Sequence, residues 1–263
     1  MSAPALLAVS HGTDSVRGRS VVGALVAAIR ARQADTRGGF VDVLQPGPDA
    51  LLRKLPAGRP AVIVPLLLSA GYHVRVDLAR AAREADRPVT VAGALGPDDG
   101  LVRLLARRVA EAGAGSRDRI VLGAAGSSDP AAVADCLEVA DRLAGVLRRP
   151  VPVGFLSAAR PTLAEVVEAA RAPDVRVVVA SYLLAPGFFA GLMDAAGADV
   201  VSAPLLDGRA VPPELVDAAL ARYAAASARV RVRDAGDLTR PPEGCERNVT
   251  VAQPQGNRRG RTA

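Results

Sequence analysis

Ser10-His11-Gly12-Thr13-Asp14-Ser15 is matched further along the chain by Ala124-Ala125-Gly126-Ser127-Ser128-Asp129. A second stretch, Pro65-Leu66-Leu67-Leu68-Ser69-Ala70-Gly71-Tyr72-His73, lines up with Ser181-Tyr182-Leu183-Leu184-Ala185-Pro186-Gly187-Phe188-Phe189. Between them, Phe40-Val41-Asp42-Val43-Leu44-Gln45-Pro46 matches Phe155-Leu156-Ser157-Ala158-Ala159-Arg160-Pro161 more loosely. His11 and Ala125 are 114 residues apart, Asp42 and Ser157 115, His73 and Phe189 116. Such constant spacing indicates two copies of one unit. At each matched position the first copy carries a group that binds a metal or a proton, and the second carries Ala, Ser or Phe. The loops and glycines persist while the chemistry is confined to the first half.

Each copy alternates apolar runs with helical patterns. In the first, strands are expected at Ala5–Ser10, Phe40–Leu44, Ala61–Leu67 and Val89–Ala92. Helices are expected at Val16–Gln33, around Ala50–Leu55, at Val74–Glu84 and at Gly100–Ala112. In the second, strands are expected at Arg119–Gly123, Val151–Leu156, Val175–Ser181 and Asp199–Ser202, with helices at Ala131–Leu147, Thr162–Arg171, Phe188–Ala196 and Pro212–Tyr223. Strands alternating with helices form parallel sheets with right-handed crossovers. The expected class is therefore α/β: two tandem pseudo-symmetric lobes, each a mainly parallel sheet flanked by helices. The lobes are expected at residues 1–113 and 117–228, joined through the linker-like Ala112-Gly113-Ala114-Gly115-Ser116. An Arg-, Pro- and Gly-rich tail, 229–263, is expected to be disordered.

Composition narrows the function classes. Of 263 residues half are hydrophobic, but only 3% are aromatic and none is Trp, so the core must be built from Ala, Val and Leu. No apolar run is long enough to span a bilayer, and the start, Met1-Ser2-Ala3-Pro4, leads into a strand without a signal-peptide pattern; a cytoplasmic, membrane-free protein is expected. The formal charge of +6 suggests nucleic acid, but eight Arg and four acids after residue 228 supply most of it. The body is near balance, and no nucleic-acid partner is expected. Cys136 and Cys245 form neither a metal pair nor a disulfide framework; Cys136 reads as a small buried apolar residue.

The only histidines, His11 and His73, each follow a buried strand, and in open parallel sheets ligands bind at the carboxyl ends of strands. Neutral imidazole, with an ordinary pKa of about 6.5, serves as metal ligand or proton acceptor. No Gly-x-Gly-x-x-Gly, P-loop, Gly-x-Ser-x-Gly elbow or zinc spacing is present.

His11-Gly12-Thr13, the Pro65-to-His73 loop and Asp77-Leu78, in a duplicated frame, resemble the class II chelatases that insert cobalt or iron into sirohydrochlorin. The resemblance covers about Ala5 to Ala225. It departs where the family's intervening acid is usually Glu and here is Asp42, and where the first loop reads Gly12-Thr13-Asp14-Ser15-Val16 instead of Gly-Ser-Arg-Asp-Pro. The second copy, Gly126-Ser127-Ser128-Asp129-Pro130, is closer to that form. The resemblance implies a lyase that places Fe²⁺ or Co²⁺ in a tetrapyrrole on the way to sirohaem or cobalamin. His11 and His73 would be catalytic, as metal ligands and proton acceptors, with Asp42 a third ligand. Arg17, Arg19 and Arg75, with Gly12, Thr13, Gly71 and Tyr72, would hold the polycarboxylate ring; in so Arg-rich a chain each arginine reads equally as part of a solvated face. Asp77 reads as a cap or pair on its own helix, with a direct metal role the alternative, and Asp42 reads equally as a solvated strand-edge carboxylate. Tyr72 and Phe188 hold equivalent places; ordinary loop packing is the expectation for both, stacking on a flat macrocycle the alternative. No tightly bound cofactor is implied, the metal being a co-substrate, and two fused lobes suit a monomer. The competing reading is a non-catalytic carrier of tetrapyrrole or metal with the same fold.

Overall fold

The computed structural model describes residues 3–42, 44–69 and 71–237, with the side chains of residues 72–75 and 230–237 left aside. The elements alternate strictly. The first half holds β1 (Ala5–Ser10), α1 (Val16–Arg32), β2 (Thr36–Phe40), α2 (Pro48–Arg53), β3 (Ala61–Pro65), α3 (Tyr72–Glu84), β4 (Val89–Val91) and α4 (Asp99–Glu111). The second holds β5 (Arg119–Ala124), α5 (Pro130–Leu147), β6 (Val153–Phe155), α6 (Leu163–Ala169), β7 (Val177–Tyr182), α7 (Phe188–Asp194), β8 (Val200–Val201) and α8 (Pro213–Asp237). Two four-stranded sheets result, ordered β2-β1-β3-β4 and β6-β5-β7-β8, every pairing parallel. The α/β class and the duplication expected from the repeat are both present.

The strands β1, β3 and β7 are buried on both faces and alternate between two layers. In β1, Leu6 and Ala8 join a core with Val21, Leu25 and Ile29 of α1, while Ala5, Leu7 and Val9 pack with Leu51, Leu52, Leu55 and Leu78 on the opposite face. The first of these cores does not stop at the lobe boundary. It runs through Leu101, Leu104 and Leu105 of α4 into Ile120, Leu122, Val178 and Ala180 of the second sheet, and takes in Leu215 and Ala219 of α8. The last helix of each half packs on the other half's sheet: α4 against β7 and α8 against β3 and β4. The buried pair Arg108–Asp207, 3.0 Å apart, ties α4 to the loop after β8.

Three expectations from the sequence shift. β2 runs from Thr36 to Phe40, not Phe40 to Leu44, because Gly38 and Gly39 read as a turn but serve close packing. A Cβ on Gly38 would come within 3.0 Å of Val26 Cγ1, and one on Gly39 within 2.6 Å of Leu51 Cδ1 and 2.8 Å of the Pro46 carbonyl. α3 begins at Tyr72, so His73 lies in a helical first turn capped by Gly71 and not in a loop. α8 continues to Asp237, past the expected helix end at Tyr223 and the expected start of the tail at residue 229. The remainder, 238–263 with Cys245, lies outside the described residues. Cys136 is buried, and burial pushes its thiol up to about 11. No helix of the described residues is long and apolar enough to cross a membrane.

Candidate active site

β1 delivers His11. The strand ends at Ser10, and Gly12, at φ 96°, turns the chain through a region that side chains with a Cβ avoid. Gly126, at φ 91°, makes the same turn after β5. Thr13 Oγ1 then accepts from the Ser15 N–H (3.2 Å), and Ser15 Oγ caps α1 by accepting from Gly18 N–H (3.1 Å). In the second half Ser127 Oγ accepts from Asp129 N–H (3.0 Å) and Asp129 caps α5 through Ala131 N–H (3.0 Å). The same loop is built twice, with histidine in only one copy.

β2 delivers Asp42. Ser10 pairs with Phe40 in register, and Val41 N–H donates to the Ser10 carbonyl at 2.9 Å. His11, one residue beyond Ser10, and Asp42, two beyond Phe40, therefore emerge near each other. His11 Nε2 lies 3.8 Å from Asp42 Oδ2, with side chains 55% and 65% exposed. That separation is beyond a hydrogen bond but suits a shared ion: ligand bonds of about 2.1 Å each span up to about 4.2 Å. The exposure leaves both side chains open to solvent. β3 leads through Leu66 to Gly71 into the first turn of α3, which carries Tyr72, His73 and Arg75; their side chains lie outside the described residues. Among the described residues, no three His, Cys, Asp or Glu side chains form a metal-sized cluster. Asp77 lies one turn after His73, with Arg80 Nη2 at 3.5 Å from its carboxylate.

The carboxyl ends of the two sheets meet at a pseudo-symmetric seam. A Cβ on Gly187 would lie 3.3 Å from Thr13 Oγ1, and one on Gly71 would lie 3.1 Å from Ser127 Oγ. Each half's strand-three loop thus touches the other half's strand-one loop. The seam also draws on two arginines expected to meet substrate. Arg17 Nη2 donates to the Asp207 carbonyl at 3.0 Å. Arg19 Nη1 donates to the carbonyls of Thr13 (3.1 Å) and Asp14 (2.9 Å). In this structure Arg19 braces the loop after His11, and Arg17 ties α1 to the loop after β8.

A cavity of about 380 Å³ opens beyond β3 and β4, lined among others by Pro65, Leu78, Gly93, Ala131 and Asp135. Both halves contribute to its lining, which sequence periodicity could not reveal. A second hollow, about 390 Å³, lies among α4, α5 and α8. His11 is not in its lining, and several of its charges are paired: Arg142 with Asp99 (2.7 Å), Glu214 with Arg107 (2.8 Å) and Asp217 with Arg32 (2.5 Å).

The family model named CbiX matches residues 5–112 and 119–196, well over half of the chain. No curated protein sequence matches it. Among solved structures, the SirB protein from Bacillus subtilis with Fe³⁺ is 22% identical, with a TM-score of 0.74, covering 88% of this chain and 98% of that one. The sirohydrochlorin chelatase SirB from Bacillus subtilis subspecies spizizenii, in complex with cobalt, is 21% identical over 88% and 98%, with a TM-score of 0.68. A CbiX described as the terminal enzyme for biosynthesis of siroheme in denitrifying bacteria is 22% identical over 82% and 98%, with a TM-score of 0.61. The structural likeness carries the fold, and the family match carries the membership: this chain belongs to the CbiX family of class II chelatases.

Proposed function

We propose that this chain inserts a divalent metal, Fe²⁺ by preference or Co²⁺, into sirohydrochlorin, within sirohaem or cobalamin biosynthesis. The observation that carries the reading is the exposed His11–Asp42 pair at the carboxyl edge of the first sheet. The preference for iron rests on the family.

Insertion exchanges two pyrrole N–H protons for one M²⁺, so the site needs proton acceptors and a weak hold on the ion. His11 and Asp42 provide an imidazole and a carboxylate, donors that suit Fe²⁺ and Co²⁺. His73 completes a set of two histidines and one acid from the first turn of α3. Each imidazole that releases the ion to the ring is free to accept a departing proton. Positive ends of α1 and α3 favour the substrate's carboxylates, with Gly12, Thr13, Gly71 and Tyr72 at those ends and Arg75 one turn into α3. Arg17 and Arg19 keep further N–H donors beyond the carbonyls they hold. The second half, without metal-binding groups at the matched positions, is a substrate wall, and one chain suffices for both walls. Working location is the cytoplasm, where tetrapyrrole and reduced metal would meet.

The test is anaerobic metal insertion with sirohydrochlorin in tenfold or greater excess over protein, followed by absorbance, with Fe²⁺ and Co²⁺ in parallel. Many turnovers above the spontaneous rate are expected. Saturation at one equivalent would instead identify a carrier, and rates equal to the protein-free control would overturn the reading.

A further inference from the structure

Phe188 and Phe189 open α7 and are 74% and 37% exposed. Their rings meet edge to face, with centroids 5.6 Å apart. The chain has only four Phe and no Trp, and Phe155, by contrast, is 1% exposed. Ordinary loop packing, the expectation from sequence, does not describe Phe188: most of its surface faces outward. An exposed aromatic pair is a poor use of apolar surface unless a flat partner covers it.

Their position supplies the partner. Gly187, next to Phe188, packs on Thr13, two residues after His11. Gly18 in the first turn of α1 lies so near Pro186 that a Cβ there would fall 2.5 Å from the Pro186 carbonyl. The aromatic pair therefore stands beside the His11 loop, across the seam from the first sheet. It also takes the place in the second half that Tyr72 and His73 take in the first. Duplication has left a histidine at this place in one half and a phenylalanine in the other. Val16, 74% exposed at the start of α1, adds an apolar neighbour on the His11 side.

We infer that Phe188 and Phe189 form a stacking wall that holds a flat, conjugated tetrapyrrole against the His11–Asp42 side of the cleft. The inference rests on the chelatase reading and adds to it the second wall of the binding site. Phenyl faces bind a conjugated ring by dispersion and quadrupole contacts without competing for the metal. That leaves the pyrrole nitrogens free to face the ligands on the other side. The wall reads the ring's flatness, and the carboxylates are left to the helix ends and arginines.

The experiment measures binding of metal-free sirohydrochlorin, with no metal added, by fluorescence titration of the full chain. Wild type, Phe188→Ala, Phe188→Tyr and the double variant Phe188→Ala/Phe189→Ala are compared, with circular dichroism to confirm folding. Phe188→Ala is expected to weaken binding by about tenfold, the scale of one aromatic stacking contact. The double variant should weaken it further, and Phe188→Tyr should bind like wild type. In steady state, KM for the tetrapyrrole should rise with kcat nearly unchanged, because the wall touches ring and not metal. Wild-type affinity in the folded double variant would overturn the wall and leave the chelatase reading standing. So would unchanged affinity with a lowered dimer fraction in sedimentation, which would assign the pair to a contact between copies. Absence of binding by the wild type would overturn the wall and the reading beneath it together.

Discussion

At the scale of single residues, the account turns on His11 and Asp42, placed 3.8 Å apart by a parallel register. Asp42 is the residue where this chain is one methylene shorter than the acid usual in its family. Its carboxylate is exposed and its only short-range partner among the described ion pairs is His11. Asp42→Asn keeps the shape and removes the charge. It should raise KM for the metal by on the order of tenfold, the low end of what lost metal-site partners cost. Asp42→Glu should stay within a few-fold of wild type in the same insertion assay. A wild-type metal KM in Asp42→Asn would remove Asp42 from the site.

At the scale of elements, the site depends on how tightly β2 is held, because the loop from Val41 to Gly47 carries Asp42. Gly39 lets α2 and the Pro46 carbonyl approach this strand. Gly39→Ala would drive a Cβ into Leu51 and Pro46 and should cost about 1–3 kcal/mol, as overpacking typically does. Urea denaturation measures this, and unchanged stability would show that the loop yields freely. The same glycines explain what sequence could and could not say. β1, β3, β5 and β7 are apolar runs, buried on both faces, and their periodicity declares them. β2, Thr36-Arg37-Gly38-Gly39-Phe40, has the composition of a turn, and only its neighbours make it a strand. The repeat marked Asp42 and His73 as candidates without locating the elements that carry them. Asp42 was legible through the repeat, although its strand was placed four residues too far along. His73 was legible for the same reason, while its first-turn position in α3 was not, because Gly71 signals a loop as readily as a helix cap.

At the scale of the molecule, the sequence shows two copies and the structure shows how they depend on each other. Loop equivalences survive in detail, from the positive φ of Gly12 and Gly126 to the Thr13–Gly187 and Ser127–Gly71 contacts. Exchange of α4 and α8 between sheets, and the core that crosses the boundary, were hidden from periodicity. An amphipathic pattern shows that a helix has an apolar face, not which sheet receives it. This exchange packs each half's last helix on the other half's sheet, a frame in which the proposed function gives metal chemistry to the first half and a wall to the second. The proposed function assigns metal insertion to the first half's histidines within this frame. Its most direct test is the initial rate of anaerobic metal insertion into sirohydrochlorin by wild type, His11→Ala and His73→Ala. Each substitution is expected to reduce the catalysed rate by on the order of a hundredfold or more, within the range of lost acid–base groups. Wild-type rates in both variants, with folding intact, would contradict the account.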